Sequence, residues 1–181
     1  MISDGRRAAE IVQHIRALTK KSVPEAIRLD LNAVIRDGTF LLQRELTTQR
    51  VVFRPELARG LPAVLGDRVQ LQQVVINLVI NGIQAMATVN DRPRELVVRS
   101  SQDGAGHVVV SVRDSGTGID PGHADRIFDA FFTTKPNGMG MGLSVCHTII
   151  EAHGGRIWAS SDSGSGATLL FSLPSIRESP P

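Results

Sequence analysis

The sequence is poor in features that mark several classes of protein. One cysteine, Cys146, in 181 residues excludes an internal disulfide framework and fits a reducing compartment. The formal net charge is only +2, aromatic residues make up 4% of the chain, and no Lys/Arg cluster lies beside them. We therefore expect no nucleic-acid-binding face. The longest apolar stretch, Val74 to Met86, is too short to span a bilayer and is interrupted by Asn77, Asn81 and Gln84.

With no signal peptide recognised, these observations indicate a cytoplasmic protein that makes no membrane contact of its own. Any membrane anchor of a parent protein would lie elsewhere. The remaining composition, 41% hydrophobic and 21% charged, is typical of a globular domain with a well-developed core.

Apolar periodicity predicts an α/β (α+β) two-layer sandwich, with a mixed, mostly antiparallel sheet and helices on one face. Asp30 is the expected N-cap of the second helix, whose residues Leu31, Val34, Ile35, Leu41 and Leu42 are expected to face inward. Helices are predicted over Arg6 to Leu18, Asp30 to Leu46, Asp67 to Ala87 and Gly142 to Ala152, and strands over Arg50 to Arg54, Glu95 to Ser101, His107 to Arg113, Arg156 to Ser160 and Ala167 to Leu173.

The first helix is amphipathic and has no partner in the rest of the chain, so another copy or a missing segment should cover its apolar face. Pro24 marks the break before the main domain. The predicted organisation is a helical segment over residues 1–22, one domain over 23–174 and a disordered tail over 175–181.

A stripe of carboxamides runs along the third helix. Gln73, Asn77 and Asn81 are spaced four residues apart on a helix that is otherwise apolar and expected to be buried. A buried amide without a partner costs roughly 1–3 kcal/mol, and a hydrated magnesium ion with phosphate oxygens could satisfy these groups. Alternatively, they bond neighbouring backbone or face solvent. Gly82, unfavourable inside a helix, indicates close packing beside Asn81.

Asp114 ends a strand and precedes Ser-Gly-Thr-Gly. A carboxylate fixed there can accept a hydrogen bond from an exocyclic amine such as that of adenine. It could equally be a turn aspartate that bonds its own backbone. Asp-Ser-Gly also occurs in aspartic proteases, but these need a second carboxylate, and Arg113 precedes this one where an apolar residue is expected.

Gly138, Gly140 and Gly142 alternate just before a helix, where free backbone N–H groups can bind an anion. Their spacing matches neither the dinucleotide fingerprint nor the phosphate loop of other nucleotide-binding proteins. Lys135 adds a cation within reach of a phosphate. The alternatives are a flexible loop and a solvated lysine.

Taken in order, these segments resemble the nucleotide-binding domain of sensor histidine kinases of two-component systems, in the superfamily that includes gyrase, Hsp90 and MutL. The resemblance covers roughly Leu29 to Pro174 and implies a Bergerat-type ATP-binding fold. Phe-Phe-Thr-Thr-Lys and the later Glu-Ala-His-Gly-Gly are similar to the oxygen- and nitrogen-responsive kinases. The matching boxes are Asp67 to Met86, Asp114 to Gly118, Ile127 to Lys135, Gly138 to Ser144 and Gly164 to Thr168.

The resemblance implies roles for individual residues. Asn81 is similar to the magnesium-binding asparagine, Asp114 to the aspartate that bonds the adenine amine, and Thr168 to a residue that supports this aspartate. Asn77, Asn81 and Lys135 form the implied catalytic set. Three aromatic residues, Phe128, Phe131 and Phe132, would anchor the lid or serve as core residues. The implied nucleotide-binding residues are Asp114, Gly116, Gly118, Thr134, Lys135, Gly138, Gly140, Gly142, Leu143 and Thr168.

Two departures refine the expected function. Asn77 stands where gyrase-like and chaperone members carry a glutamate that activates water, and an amide cannot accept that proton. The phosphoacceptor histidine box is missing, because Ile15 and Arg16 follow His14 where the family has an acidic residue. We take the five histidines as structural or exposed.

The implied activity is transfer of the γ-phosphate of Mg-ATP to a histidine on a dimerisation hairpin outside this sequence. A response regulator would then accept the phosphate, and the full-length kinase would be a homodimer. A gyrase- or chaperone-type ATPase and a regulatory nucleotide-binding pseudokinase are the alternatives.

Overall fold

The computed structural model describes residues 26–134, 140–161 and 165–176, and the predicted first helix lies outside them. Within these ranges, four α-helices and a short 3-10 helix, Pro121–His123, accompany seven strands. The helices are α1 (Leu31–Phe40), α2 (Gln43–Thr48), α3 (Arg68–Ala85) and α4 (Gly142–Ala152). The strands are β1 (Ile27–Leu29), β2 (Val52–Leu57), β3 (Val64–Gly66), β4 (Glu95–Gln102), β5 (His107–Asp114), β6 (Arg156–Ser161) and β7 (Ala167–Pro174).

The main sheet has the strand order β2-β4-β5-β7-β6. Only β2 and β4 run parallel, and the other neighbours are antiparallel. The two hairpins predicted from the sequence, β4–β5 and β6–β7, are both present. The mixed, mostly antiparallel sheet is therefore confirmed. A second, two-stranded sheet of β1 and β3, with Ile27 opposite Gly66, was not predicted.

Helices α1, α3 and α4 pack together over one face of the main sheet. Burial alternates along β5, where Val108, Val110, Val112 and Asp114 are buried and the residues between them are more exposed. Because side chains alternate across a strand, Asp114 lies on the face covered by helices. Among the described residues, side chains on the other face, such as Val97, Ser111 and Leu170, stay partly exposed. No helix of the described ranges is long and apolar enough to cross a membrane.

The first predicted helix of the main domain is broken. Asp30 is its N-cap, as expected, and accepts a hydrogen bond from the Asn32 amide. The helix ends at Phe40, however, and α2 begins three residues later, at Gln43. The Thr39 hydroxyl bonds the Ile35 carbonyl at 2.8 Å, a contact that tends to bend helices. Leu41 is consequently turned outward and is 64% exposed, contrary to the prediction that it faces the core.

The helix α3 begins after Asp67, whose carboxylate caps the amides of Val69 and Gln70. Most of its apolar residues are buried, but Val69 is 71% exposed and the carboxamide stripe is only half-buried, so the expectation that the whole helix is buried is wrong. The helix α4 runs antiparallel beside α3. At its end, the His153 ring accepts a hydrogen bond from the Asp67 amide at 3.0 Å and donates to the Ile149 carbonyl.

The C-terminal boundary of the domain differs in part from the predicted one. Ser175 pairs with Val64, and the Ile176 amide donates to the Ala63 carbonyl at 2.8 Å. These two residues, assigned to a disordered tail, therefore continue the domain. The rest of that tail, residues 177–181, lies outside the described ranges.

Candidate nucleotide-binding site

The site centres on Asp114, the last residue of β5, which is 5% exposed. Its Oδ1 accepts a hydrogen bond from the Gly116 amide at 2.8 Å and lies 3.4 Å from the Ala167 amide of β7. The carboxylate thus bonds its own turn, as the alternative interpretation proposed, but a second strand also holds it. Its burial goes beyond what an ordinary surface turn provides.

The helix α3 approaches this carboxylate at Gly82. A Cβ atom added to Gly82 would lie 2.5 Å from Leu96 Cδ1 and 3.4 Å from Asp114 Cβ. Only glycine lets the helix pack this closely against β4 and β5. The predicted close packing is confirmed, and it places Asn81 one residue from the contact with Asp114.

The turn after Asp114 also fits closely against the end of α3. A Cβ atom on Gly116 would lie 2.6 Å from the Ala85 carbonyl oxygen and 2.7 Å from Asp114 Oδ1. Gly118 has φ 79°, a conformation that side chains disfavour. The Thr117 amide lies 3.4 Å from the same Ala85 oxygen. The turn is therefore compact: there is no room for a side chain at Gly116, and the backbone at Gly118 disfavours one.

Asn77 links α3 to the start of α4. Its Nδ2 lies 3.4 Å from the carbonyl oxygen of Gly142, the first residue of α4. Asn81, one turn further along α3, is half-buried. The side chains of Asn77 and Asn81 therefore lie between the N-terminus of α4 and the region of Asp114. No acidic residue occurs anywhere in α3.

The amide side chains of Asn77 and Asn81 offer oxygen ligands of the kind that magnesium accepts. The described ranges contain no group of three or more His, Cys, Asp or Glu side chains that could hold a metal ion. An amide oxygen, as on Asn81, is a suitable ligand for magnesium, which usually keeps several waters and binds substrate phosphates rather than an all-protein cage. The residues present thus fit a magnesium ion that arrives with a polyphosphate.

Cys146 lies on α4 against α3 and is buried. Its Sγ is 3.9 Å from the Val74 carbonyl oxygen. Burial raises the pKa of this thiol to about 12, although a hydrogen bond with the Asn77 side chain opposes the shift. The thiol is therefore a packed, protonated group rather than a nucleophile.

The segment before α4 is tied back at Gly140, whose carbonyl accepts a hydrogen bond from the Phe131 amide at 2.9 Å. Phe131 itself has φ 67° and is 74% exposed. Phe128 packs against the core, and Phe132 lies under the Arg126 guanidinium at 4.8 Å. The three phenylalanines therefore have different environments, and only Phe128 contacts the core.

The structure describes only some of the remaining implied nucleotide-binding residues. Leu143 is half-buried against the core, and Thr134 is exposed. Lys135 and Gly138 lie outside the described ranges.

Thr168 is on the other side of the sheet from Asp114. It pairs with the exposed Arg113, while its neighbour Ala167 is buried next to the carboxylate. The Ala167 amide thus provides a contact between β7 and the Asp114 carboxylate, and the role implied for Thr168, support of Asp114, stays a prediction. Backbone groups such as this amide and the Ala85 carbonyl leave no signal in the residue types. The apolar alternation of β7, Ala167-Leu169-Phe171-Leu173, did indicate which face Thr168 would take.

The protease alternative requires a pair of buried carboxylates. Across the described residues, Asp114 is the one buried acidic side chain. A catalytic dyad within one chain is therefore not formed by these residues.

Comparison with known proteins agrees with this geometry. Residues 66–177 match the family described as histidine kinase-, DNA gyrase B-, and HSP90-like ATPase. The chain belongs to this family.

Among its relatives, the sensor protein FixL of Bradyrhizobium diazoefficiens is 40% identical over 172 residues, covering 95% of this chain and 34% of FixL. The sensor histidine kinase TmoS of Ectopseudomonas mendocina is 38% identical over 175 residues, covering 96% of this chain and 18% of TmoS. The chain thus spans between about a fifth and a third of these relatives.

The fold also matches solved structures. The catalytic domain of the histidine kinase ThkA superposes with a TM-score of 0.73 at 34% identity, covering 83% of this chain and 96% of that one. ThkA in complex with the response regulator protein TrrA gives a TM-score of 0.77 at 32% identity, covering 96% of this chain and 48% of that one. Within the family, the chain is therefore similar to the catalytic domains of sensor histidine kinases.

Proposed function

We propose that this chain is the ATP- and magnesium-binding catalytic domain of a sensor histidine kinase. The observation that carries the proposal is the buried Asp114 carboxylate, held between the Gly82 face of α3 and a glycine turn, with Asn81 beside the contact. The site thus offers a carboxylate (Asp114) for the adenine base and a carboxamide (Asn81) for a metal ion. It also offers the N-terminus of α4 for the phosphates of ATP.

Asp114 accepts a hydrogen bond from the exocyclic amine of adenine. Guanine presents a carbonyl oxygen at the equivalent position, which a carboxylate repels, so the site discriminates between the two purines. Gly116 supports this role because its missing side chain leaves the turn compact beside the carboxylate.

Magnesium supplies charge neutralisation on the triphosphate when it is bound. Asn81 offers it an amide oxygen, and the N-terminus of α4 at Gly142 offers backbone N–H groups and the positive end of the helix dipole to the phosphates. Lys135 and Gly138 remain predictions from the sequence.

Transfer, rather than hydrolysis, is supported by what α3 lacks. By resemblance, gyrase-like and chaperone members carry a water-activating glutamate on this helix, whereas here its polar residues near the site are the amides Asn77 and Asn81. We propose that a histidine ring nitrogen attacks the γ-phosphorus instead. The bond between that phosphorus and the β–γ bridging oxygen breaks, and ADP leaves. Catalysis is then positioning and charge stabilisation.

The acceptor histidine belongs to a dimerisation hairpin of the parent protein, which acts as a homodimer in the cytoplasm. A response regulator takes the phosphate from that histidine. The similarity to ThkA, whose structure with the response regulator protein TrrA is known, supports this partner.

Titration calorimetry with a non-hydrolysable ATP analogue and Mg²⁺ tests the nucleotide site. Asp114→Asn should weaken binding by roughly 10- to 100-fold, since a charge-assisted hydrogen bond contributes about 1.5–3 kcal/mol. Asp103→Asn is the matched control, because Asp103 also caps a turn, accepting from the His107 amide at 2.8 Å at the opposite end of β5. Undiminished binding by Asp114→Asn, or no binding by the unchanged chain, would refute the assignment.

A further inference from the structure

The turn that carries Asp114 is held from outside the nucleotide site by Arg92. The guanidinium Nε donates to the Ser115 carbonyl at 3.1 Å, and Nη2 donates to the Gly116 carbonyl at 2.7 Å. Arg92 is half-buried and belongs to the connection between α3 and β4. Arg92 therefore donates hydrogen bonds to both residues that directly follow Asp114.

The residues next to Arg92 hold the same turn. The Ser115 hydroxyl accepts a hydrogen bond from the Glu95 amide and donates to the Pro93 carbonyl, both at 2.9 Å. The Ser115 amide in turn donates to the Glu95 carbonyl at 3.1 Å. The segment from Arg92 to Glu95 thus makes several hydrogen bonds to Ser115 and Gly116.

This connection is itself anchored. Arg94 donates hydrogen bonds to the carbonyls of Ala87, Val89 and Gln49 at 3.0–3.1 Å. These acceptors lie just after α3 and in the connection from α2 to β2. By bonding them, Arg94 fixes the backbone of the segment that carries Arg92. These acceptors of Arg94 all lie outside the turn after Asp114.

Gly116 is the link between Arg92 and the carboxylate. Its amide donates to Asp114 Oδ1, and its carbonyl accepts from Arg92. Glycine is the residue with the greatest backbone freedom, so a glycine that orients a carboxylate needs external restraint. Arg92 supplies this restraint by fixing the peptide groups on both sides of the Gly116 Cα atom.

We propose that Arg92 is a positioning residue for purine recognition: it fixes the Gly116 peptide so that Asp114 keeps the orientation that selects adenine. The inference rests on the proposed function, because it assigns a residue to the base-reading part of that site. A guanidinium suits the role because its rigid fork reaches two successive carbonyls. A lysine ammonium is a point charge and does not reproduce this fork.

Arg92→Lys tests the proposal, with Arg99→Lys as the matched control. Arg99 also uses Nε and Nη2 together, but on the Glu56 carboxylate at the face of the sheet away from the helices. For both variants and the unchanged chain, the affinities for ATP and GTP are measured in Mg²⁺. We expect Arg92→Lys to lower the ratio of ATP to GTP affinity by about fivefold to tenfold, which is less than the effect of losing the hydrogen bond to adenine itself, because Asp114 is retained and only its orientation is loosened. Arg99→Lys should leave the ratio unchanged.

A second readout needs no nucleotide. Hydrogen exchange of the Gly116 amide, followed by NMR, should be faster in Arg92→Lys than in Arg99→Lys, because the amide's bond to Asp114 depends on the restrained peptide. Arg92→Gln, which retains one donor to one carbonyl, replaces the lysine variant if that variant does not fold. A purely structural role would lower the melting temperature without changing the affinity ratio.

The outcomes separate the two claims. If the unchanged chain does not prefer ATP over GTP, adenine recognition by Asp114 is refuted, and the role of Arg92 is refuted with it. If the unchanged chain prefers ATP and the Arg92 variants keep that preference and the slow exchange of Gly116, only the role of Arg92 is refuted.

Discussion

Replacing Gly82 by alanine tests whether the contact between α3 and the Asp114 carboxylate defines the site. The added methyl group would lie 2.5 Å from Leu96 Cδ1 and 3.4 Å from Asp114 Cβ. Leu96 is fully buried and has little room to move away. We therefore expect the helix to shift outward, which would move Asn81 relative to the carboxylate.

Two effects of opposite sign determine the stability of this variant. Alanine is preferred over glycine inside a helix by about 1 kcal/mol, whereas an extra methyl group in a packed core costs about 1–3 kcal/mol. We therefore expect the free energy of unfolding to fall by roughly 0–2 kcal/mol. ATP affinity should fall by about fivefold to thirtyfold, because the carboxylate and the amide no longer meet the nucleotide together.

Gly38→Ala is the matched control, since Gly38 also lies inside a helix, in α1. A Cβ atom there would lie 3.3 Å from Val75 Cγ1 and farther from its other neighbours. This substitution should leave stability unchanged or raise it by up to about 1 kcal/mol, and it should leave ATP affinity unchanged. Urea unfolding and calorimetry measure both quantities. If Gly82→Ala is stabilised as much as Gly38→Ala and binds ATP normally, the contact between α3 and the Asp114 carboxylate does not define the site.

Other predictions concern the metal and the buried thiol. Asn81→Ala should remove most of the Mg²⁺ dependence of ATP binding while leaving the affinity for adenosine nearly unchanged, and a Mg²⁺ dependence equal to that of the unchanged chain would contradict its assignment. Cys146 should resist alkylation in the native state at pH 8, because burial raises the pKa of its thiol to about 12, and should react on unfolding. Because the folded-state pKa is raised, the stability contributed by this thiol is complete below the ordinary value of 9.0 and is lost as pH rises toward 12. Rapid native alkylation would contradict this environment.

Long periodic segments were predictable from the sequence. The strand pair β4–β5 and the helices α3 and α4 appear close to their predicted bounds, since each combines a clear apolar period with a cap or turn residue such as Asp67. The roles that the sequence boxes imply for the carboxylate and the amides stay predictions.

Short or tertiary features were not predictable in the same way. The strands β1 and β3 have three residues each, too few for a periodic signal. The break after Phe40 depends on a single Thr39 hydroxyl, and the contacts of Asp114 with Gly116 and Ala167 use backbone groups that any residue carries. Only the face taken by Thr168 could have been inferred from the alternation of its own strand.

The central claim is that this chain transfers phosphate to a histidine rather than releasing it to water. The most direct measurement incubates the full chain with γ-labelled ATP, Mg²⁺ and a separately prepared histidine hairpin of the parent protein. We expect acid-labile label on the hairpin, none on this chain, and little free phosphate. Label on the chain itself, or release of phosphate without labelling of the hairpin, would contradict it.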